Sequence, residues 1–354
     1  MKKIADVAAR AGVSVGSVSR VINDHPSVTP ETRDRVERAV RELAYVPNAI
    51  AGSLRSRRSK MLGLVVPDVT NPFFAELALN VERSAIAKSY NVILCNSDNS
   101  IEQQRRHLHA LAARRVDGII LASAGPVNLK LDHATPIVGV DREVGGCPFV
   151  ASDNVGGAKS AIGYLLTLGH DLISLVAGPA GLQPARDRRA GYEDIATPLF
   201  RSAGLDPANY IASGDFDFDT GYAAAQRLLR VTPRPTAIFA SSDQQAIGVM
   251  RAAADLGLEV PRDLTVVGFD DIPIAKLITP RLTTVAQPVK EIGVLATQLL
   301  LNLLAGVAIE GPRRHHLATT VQIRESSSAP LSRGSSAALR AWKNPFEAGI
   351  KEEV

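Results

Sequence analysis

The sequence predicts an α/β protein, with a small helical head followed by two doubly wound α/β lobes. Three observations carry this expectation. Beyond residue 60, short apolar runs alternate with amphipathic segments of helical length. Before residue 45, apolar residues recur at spacings of three and four, with turn signals between short segments. Charge is also unevenly shared: residues 1–60 hold 12 Lys and Arg against 6 Asp and Glu, and the remainder holds 28 against 30. A basic head on a neutral body is the electrostatic footprint of a nucleic-acid partner, although a solvated charged face would give the same count.

The head opens with a helix over 4–11 (IADVAARA), followed by the turn Gly12-Val13-Ser14. Gly12 suits the left-handed conformation that ends a helix, and Ser14 suits the N-cap of the next, over 15–23 (VGSVSRVIN). Two helices joined by so short a turn form a helix-turn-helix. The second helix is expected to bury Val18, Val21 and Ile22 and to turn Val15, Gly16, Ser17, Ser19 and Arg20 outward. Small residues early on this helix allow close approach to a major groove, where Arg20 can reach a guanine edge. Asn23, which closes the helix, joins Val15, Gly16, Ser17 and Arg20 as a DNA-facing candidate. A third helix starts at the N-cap Thr29 with Pro30 in its first position, carries Val36, Val40 and Leu43 as its stripe, and ends before Pro47. The basic segment 48–60 (NAIAGSLRSRRSK) is too short and too rich in Gly and Ser to be a stable helix alone. It reads as a linker, or as a segment that folds on DNA with Leu54 wedged into the minor groove.

In the body, the runs at 62–66, 92–95, 118–121, 136–140, 172–176, 236–240 and 264–269 read as buried parallel strands, with helices near 73–90 and 101–114 between the first of them. The length beyond residue 60 exceeds what one such sheet needs. Ligands of doubly wound sheets bind at the carboxyl ends of strands, and several polar groups stand there. Asn71 with Phe73 and Phe74 follows the first run, Asp141-Arg142 the fourth, Ser242-Asp243 the sixth and Asp270-Asp271 the seventh. Carboxylates and a guanidinium that bind vicinal hydroxyls, with aromatic rings for an apolar face, suit a sugar.

The head and hinge (IADVAARAGVSVGSVSRVIN, then VTPETRDRVERAVRELAYVPNAIAGSLR) resemble the lactose repressor/galactose repressor family, and the likeness extends to about residue 325. The body is also similar to ribose- and galactose-type periplasmic binding proteins, which implies lobes of that type. The resemblance implies that Val15, Gly16 and Arg20 read bases, with Leu54 as a minor-groove lever and Arg55 its neighbour. It implies effector contacts at Asn71, Phe73, Phe74, Asp141, Arg142, Arg188, Phe216, Asp270 and Gln287. Ser242 also counts as a ligand candidate, but it stands where the family often has Asn; a shorter side chain with fewer hydrogen bonds alters what that position can recognise. The implied partners are double-stranded operator DNA, a sugar effector and a second copy of the chain.

The domains expected are a head over 1–46, a hinge over 47–60, a first lobe over 61–153 and 288–314, a second lobe over 154–287 and 315–325, and a flexible Ser/Gly-containing tail over 326–354 without leucine heptads. Chain crossings between lobes are expected near 153–156, 283–288 and 312–317. No apolar run is long enough to cross a membrane, and none follows Lys2-Lys3 as a signal peptide would require. With only Cys95 and Cys147, a reduced cytoplasmic protein is expected. His107, His109, His315 and His316 lack partners at metal-ligand spacing, so neither metal nor cofactor is expected. A transport-type binding protein would account for the body but not for the basic head. A nucleotide-dependent enzyme would need glycines after the first strand that LGLVVPDVTNPFF lacks.

Overall fold

The computed structural model describes residues 2–22, 25–45, 58–125, 135–307, 313–331 and 350–352. Two compact units emerge, 1–59 and 60–354, and each is described by itself.

The head holds α1 (Ile4–Ala11), α2 (Val15–Ile22) and α3 (Pro30–Glu42). Their apolar stripes meet in a small core of Val7, Ala8, Ala11, Val18, Val21, Val36 and Ala39, with Ile22, Val40 and Leu43 partly buried against it. Gly12 takes φ 61° and closes α1, and Thr29 accepts from the Thr32 backbone to open α3. Arg35 of α3 reaches back to α1: its Nε and Nη2 donate to the Ala11 carbonyl at 3.1 and 2.6 Å, and Nη2 also to that of Gly12 at 2.9 Å. This contact satisfies the last carbonyls of α1, which would otherwise have no helical partner.

In the body the first sheet, entirely parallel, runs β11–β5–β4–β3–β1–β2. Its strands are β1 (Met61–Val66), β2 (Asn91–Asn96), β3 (Gly118–Ala122), β4 (Ile137–Val140), β5 (Phe149–Ser152) and β11 (Arg314–Leu317). Helices α4 (Pro72–Ile86) and α10 (Val289–Leu304) pack together and share a core with β1, β3, β4 and β5; α5 (Ile101–Ala113) covers the other face. The second sheet runs β13–β12–β10–β9–β8–β6–β7. These strands are β6 (Ile173–Ala177), β7 (Ile211–Ser213), β8 (Ala237–Ala240), β9 (Thr265–Asp270), β10 (Thr283–Ala286), β12 (Thr320–Ile323) and β13 (Ile350–Glu352). Among the described residues, only the β10–β12 pairing of this sheet is antiparallel. Helices α6 (Asn154–Leu168) and α7 (Gln183–Ser202) lie on one face, α8 (Phe218–Leu228) and α9 (Asp243–Asp255) on the other. A chain that leaves and re-enters each lobe in this way makes the two-lobed architecture that the alternation predicts.

Several readings need correction. Residues 315–317 pair with β5, so β11 belongs to the first lobe, and the third crossing lies just after it, before β12 at Thr320. The expected tail is ordered at its start: Ser326 is fully buried, its Oγ donating to the Val266 carbonyl at 2.6 Å and accepting from the Thr283 backbone at 2.8 Å. His170, also buried, binds Thr236 through Nδ1 at 2.9 Å and the Ser328 carbonyl through Nε2 at 2.8 Å; burial lowers its pKa. Here Ser residues bond the starts of β9 and β10, where composition alone suggests solvent. The run 92–95 is an edge strand rather than a buried one, and Leu94 is exposed. Strands β10, β11 and β12 lie outside the apolar runs because at least half of each is polar (TTVA, RHHL and TVQI).

Candidate functional site

In the head, Val15, Gly16 and Arg20 are exposed along α2, and Ser17 is half-buried. Ser14 accepts from the Ser17 backbone at 3.0 Å and opens the helix as a cap. The hydroxyls of Ser14 and Ser17 lie 2.9 Å apart, and Arg20 Nε donates to the Gly16 carbonyl at 3.3 Å, folded back along its own helix. Exposed Val15 and side-chain-free Gly16 give one end of α2 the low relief that close approach to DNA requires. Asn23, Leu54 and Arg55 lie outside the described residues.

In the body, Asn71, Phe73, Phe74, Asp141, Arg142, Arg188, Phe216, Asp270 and Gln287 line one cleft together with Pro184. First-lobe strands β1 and β4 lead into Asn71 and Asp141, and second-lobe strand β9 ends on Asp270, so carboxyl ends of both sheets face it. The side chains enclose a free volume of only about 30 Å³, room for about one or two water molecules. Phe73 and Phe74 stand edge to face with centroids 5.0 Å apart, on the first turn of α4, which Asn71 caps by accepting from the Phe73 backbone at 3.0 Å.

Arg188 is the centre of the second lobe's polar network. Its Nε donates to Asn154 Oδ1 at 2.8 Å, and its Nη1 to the Ser241 carbonyl and to Asp270 Oδ1 at 3.2 Å. The guanidinium lies 3.8 Å from the Phe269 ring centroid and 5.5 Å from that of Phe216. Gly178 allows this: a Cβ there would lie 2.3 Å from the Phe216 ring. Gln287 Nε2 donates to Asp270 Oδ1 at 2.7 Å, and its Oε1 accepts from Ser152 Oγ at 2.7 Å. Gln287 therefore joins the end of β5 to the end of β9 at a crossing between the lobes. In the first lobe Arg142 Nη1 donates to the Ser123 carbonyl, and its Nε lies 3.4 Å from Asp141 Oδ2. That buried Nε makes no hydrogen bond among the described residues.

Burial raises the pKa of Asp141, and the cations Arg142 and Arg188 oppose it. Burial pushes Asp270 up to about 6, against the pull of Arg188 and the Gln287 hydrogen bond. Both residues have left-handed backbones, Asp141 at φ 62° and Asp270 at φ 126°, followed by Asp271 at φ 60°. Each such conformation costs about 1–3 kcal/mol, so the surroundings must hold it.

Ser242 is corrected: it does not line the cleft. It is buried, and its Oγ accepts from the Gln245 backbone at 3.2 Å as the N-cap of α9. The sequence reading missed Pro184, which carries no polar signal, and Ser152 and Asn154, whose roles depend on the crossing between lobes.

Two family models match: "Bacterial regulatory proteins, lacI family" over residues 3–48, and "Periplasmic binding protein-like domain" over residues 162–327. The ribose operon repressor of Halalkalibacterium halodurans is 39% identical over 329 residues, 92% of this chain and 97% of that protein. Among solved structures, the lac repressor dimer bound to operator and the anti-inducer ONPF is similar with TM-score 0.81 and 28% identity, over 93% of this chain and 99% of that one. A complex of the transcriptional regulator CelR with cellobiose is similar with TM-score 0.69 and 33% identity, over 92% of this chain and 100% of that one. With identity at this level along nearly the whole of both chains, the protein belongs to the lacI family of bacterial regulatory proteins.

Proposed function

We propose that this regulator represses a pentose-utilisation operon, and that a neutral aldopentose of the ribose class, held between its lobes, releases it from DNA. The observation that carries the effector class is the charge balance of the cleft. Arg142 is paired with Asp141 and Arg188 with Asp270, so the two cations and two carboxylates cancel. A phosphate would meet no uncommitted cation there. A polyhydroxy ligand finds acceptors in the carboxylates and aromatic faces in Phe73, Phe74 and Phe216. The 39% identity to a ribose operon repressor supports the same class.

On DNA, two copies read a near-palindrome, because a two-fold dimer matches a two-fold site. Val15, Gly16, Ser17, Arg20 and Asn23 face the major groove, and Leu54 and Arg55 the minor groove. Second-lobe apolar residues suit the dimer contact: a groove lined by Met250, Leu258, Val260 and Ile278, with Leu277 79% exposed beside it. Membership of the lacI family of regulators supports a protein that acts in the cytoplasm without catalysis or cofactor.

Calorimetric titration of the full chain with D-ribose, a ribose phosphate and free nucleobases tests this. D-ribose is expected to bind, and Asp270→Ala to abolish the binding. Binding of only the phosphate or a nucleobase would contradict the charge-balance argument.

A further inference from the structure

Behind the cleft stands a carboxyl group that nothing above uses. Asp243, the first residue of α9, is fully buried. Its Oδ2 accepts from the Ile272 backbone at 2.9 Å, and its Oδ1 is hydrogen-bonded to Thr284 Oγ1. Gly268 on β9 makes room for it: a Cβ there would lie 2.2 Å from Asp243 Oδ1. The residue thus bridges α9, the turn that leaves β9 and the strand β10. Ile272 directly follows Asp270 and Asp271, the two left-handed residues that aim the Asp270 carboxyl into the cleft.

Among the described residues, no Lys, Arg or His nitrogen pairs with Asp243. The charged groups facing it, Asp270 at the end of β9 and Asp271 just after it, are both acidic. The cations of the neighbourhood are committed to those two: Arg188 to Asp270 at 3.2 Å, Arg324 to Asp271 at 2.6 Å and Lys276 to Asp271 at 3.5 Å. A buried carboxylate without a cation and beside other carboxylates is strongly disfavoured. The N-terminus of α9 favours its charge, but by less than full burial opposes it.

We infer that Asp243 is a positioning residue that fixes Asp270 for the effector, and that it does so as a neutral acid, its O–H donating to Thr284 Oγ1 while its other oxygen accepts from Ile272. The direction of its titration agrees: burial, reinforced by Asp270, pushes it up to about 8. The effector arm of the inference rests on the reading of the cleft given above; the protonation arm does not.

The sign of the pH effect follows from linkage. A carboxyl raised in the folded state holds a proton there that the unfolded chain has lost, so folded stability falls as pH rises, until the folded group also ionises. Burial also raises Asp141 and Asp270 and lowers His170, so between pH 6.5 and 8 the contribution of Asp243 is the difference in slope between the wild type and a variant whose residue 243 cannot ionise.

The test compares the wild type, Asp243→Asn and Asp243→Ala as full chains, in thermal unfolding without ligand from pH 6.5 to 8 and in D-ribose titration at pH 7. Asn reproduces the neutral acid, with Nδ2 donating to Thr284 and Oδ1 accepting from Ile272. The wild-type melting temperature should fall more steeply, or rise less, across the window than that of Asp243→Asn. Asp243→Ala should weaken D-ribose binding about tenfold or more, and Asp243→Asn should restore it. Equal slopes in the wild type and Asp243→Asn, or Asp243→Asn as damaging as Asp243→Ala, would show the group to be ionised and overturn the inference. Wild-type binding in Asp243→Ala would remove its positioning role. If the wild type does not bind D-ribose, the pentose reading fails, and the melting slopes still decide the protonation state.

Discussion

At Asp270 three demands meet on one side chain: it ends β9, holds a left-handed backbone, and takes bonds from Arg188 and Gln287 on the same oxygen. Its other oxygen is the acceptor a sugar hydroxyl would use. Because burial pushes this carboxyl up to about 6, acid should remove the acceptor within an accessible range. D-ribose affinity is expected to fall as pH drops from 7 to 5 and to be weak but independent of pH in Asp270→Asn; calorimetry across that range would show it. Arg188 binds Asn154, Ser241 and Asp270 at once, so Arg188→Ala leaves several buried partners unsatisfied. It should cost stability as well as binding, about 2 kcal/mol or more by denaturant titration. Residue type and position after a strand made Asp270 visible in the sequence, whereas Arg188, inside a helix, was implied only by the family resemblance. Asn154 and Ser152 were not visible, because an Asn at a helix start and a Ser at a strand end usually cap and nothing more.

At the scale of elements, glycine sets how closely helices meet. A Cβ on Gly248 of α9 would lie 2.1 Å from the Phe218 carbonyl of α8, and one on Gly221 of α8 would lie 2.3 Å from the Gln245 carbonyl of α9. Both obstacles are backbone and cannot swing aside, so Gly248→Ala should force the helices apart and destabilise by about 1–3 kcal/mol, read as a shift in the unfolding midpoint. In the head, Arg35 closes α1 from another helix. Arg35→Ala should destabilise the head by about 1 kcal/mol, and amide exchange near Ala11 and Gly12 would report it. The helices of the head were legible because each carries its own signals: Gly12 as a stop, Ser14 and Thr29 as caps. The cross-helix bond of Arg35 was not, since the sequence shows only one Arg among several on an exposed face.

For the whole molecule, the paths of the chain between the lobes matter most. The cleft network touches them directly: Ser152 ends β5 at one crossing, Asn154 begins α6 just beyond it, and Gln287 lies between β10 and α10 at another. A ligand that draws on Asp270 and Arg188 therefore competes with the bonds that hold the crossings. It can shift the relation between the lobes by no more than its difference in affinity for the two arrangements. The alternation of runs and helices disclosed two lobes, but the course of β11 and β12 depends on pairing between distant residues, which no local pattern reveals. The hinge segment makes a separate prediction: Leu54→Ala should lose affinity for specific DNA and keep the salt-dependent non-specific binding, measured by fluorescence anisotropy at several salt concentrations.

The most direct test of effector control over DNA binding is a single titration. The full chain would be bound to a palindromic duplex selected from a random pool, and its affinity measured with and without D-ribose. Affinity is expected to fall about tenfold or more with D-ribose, and Arg188→Ala to abolish the response. Affinity that D-ribose leaves unchanged or tightens would contradict release by a sugar held between the lobes.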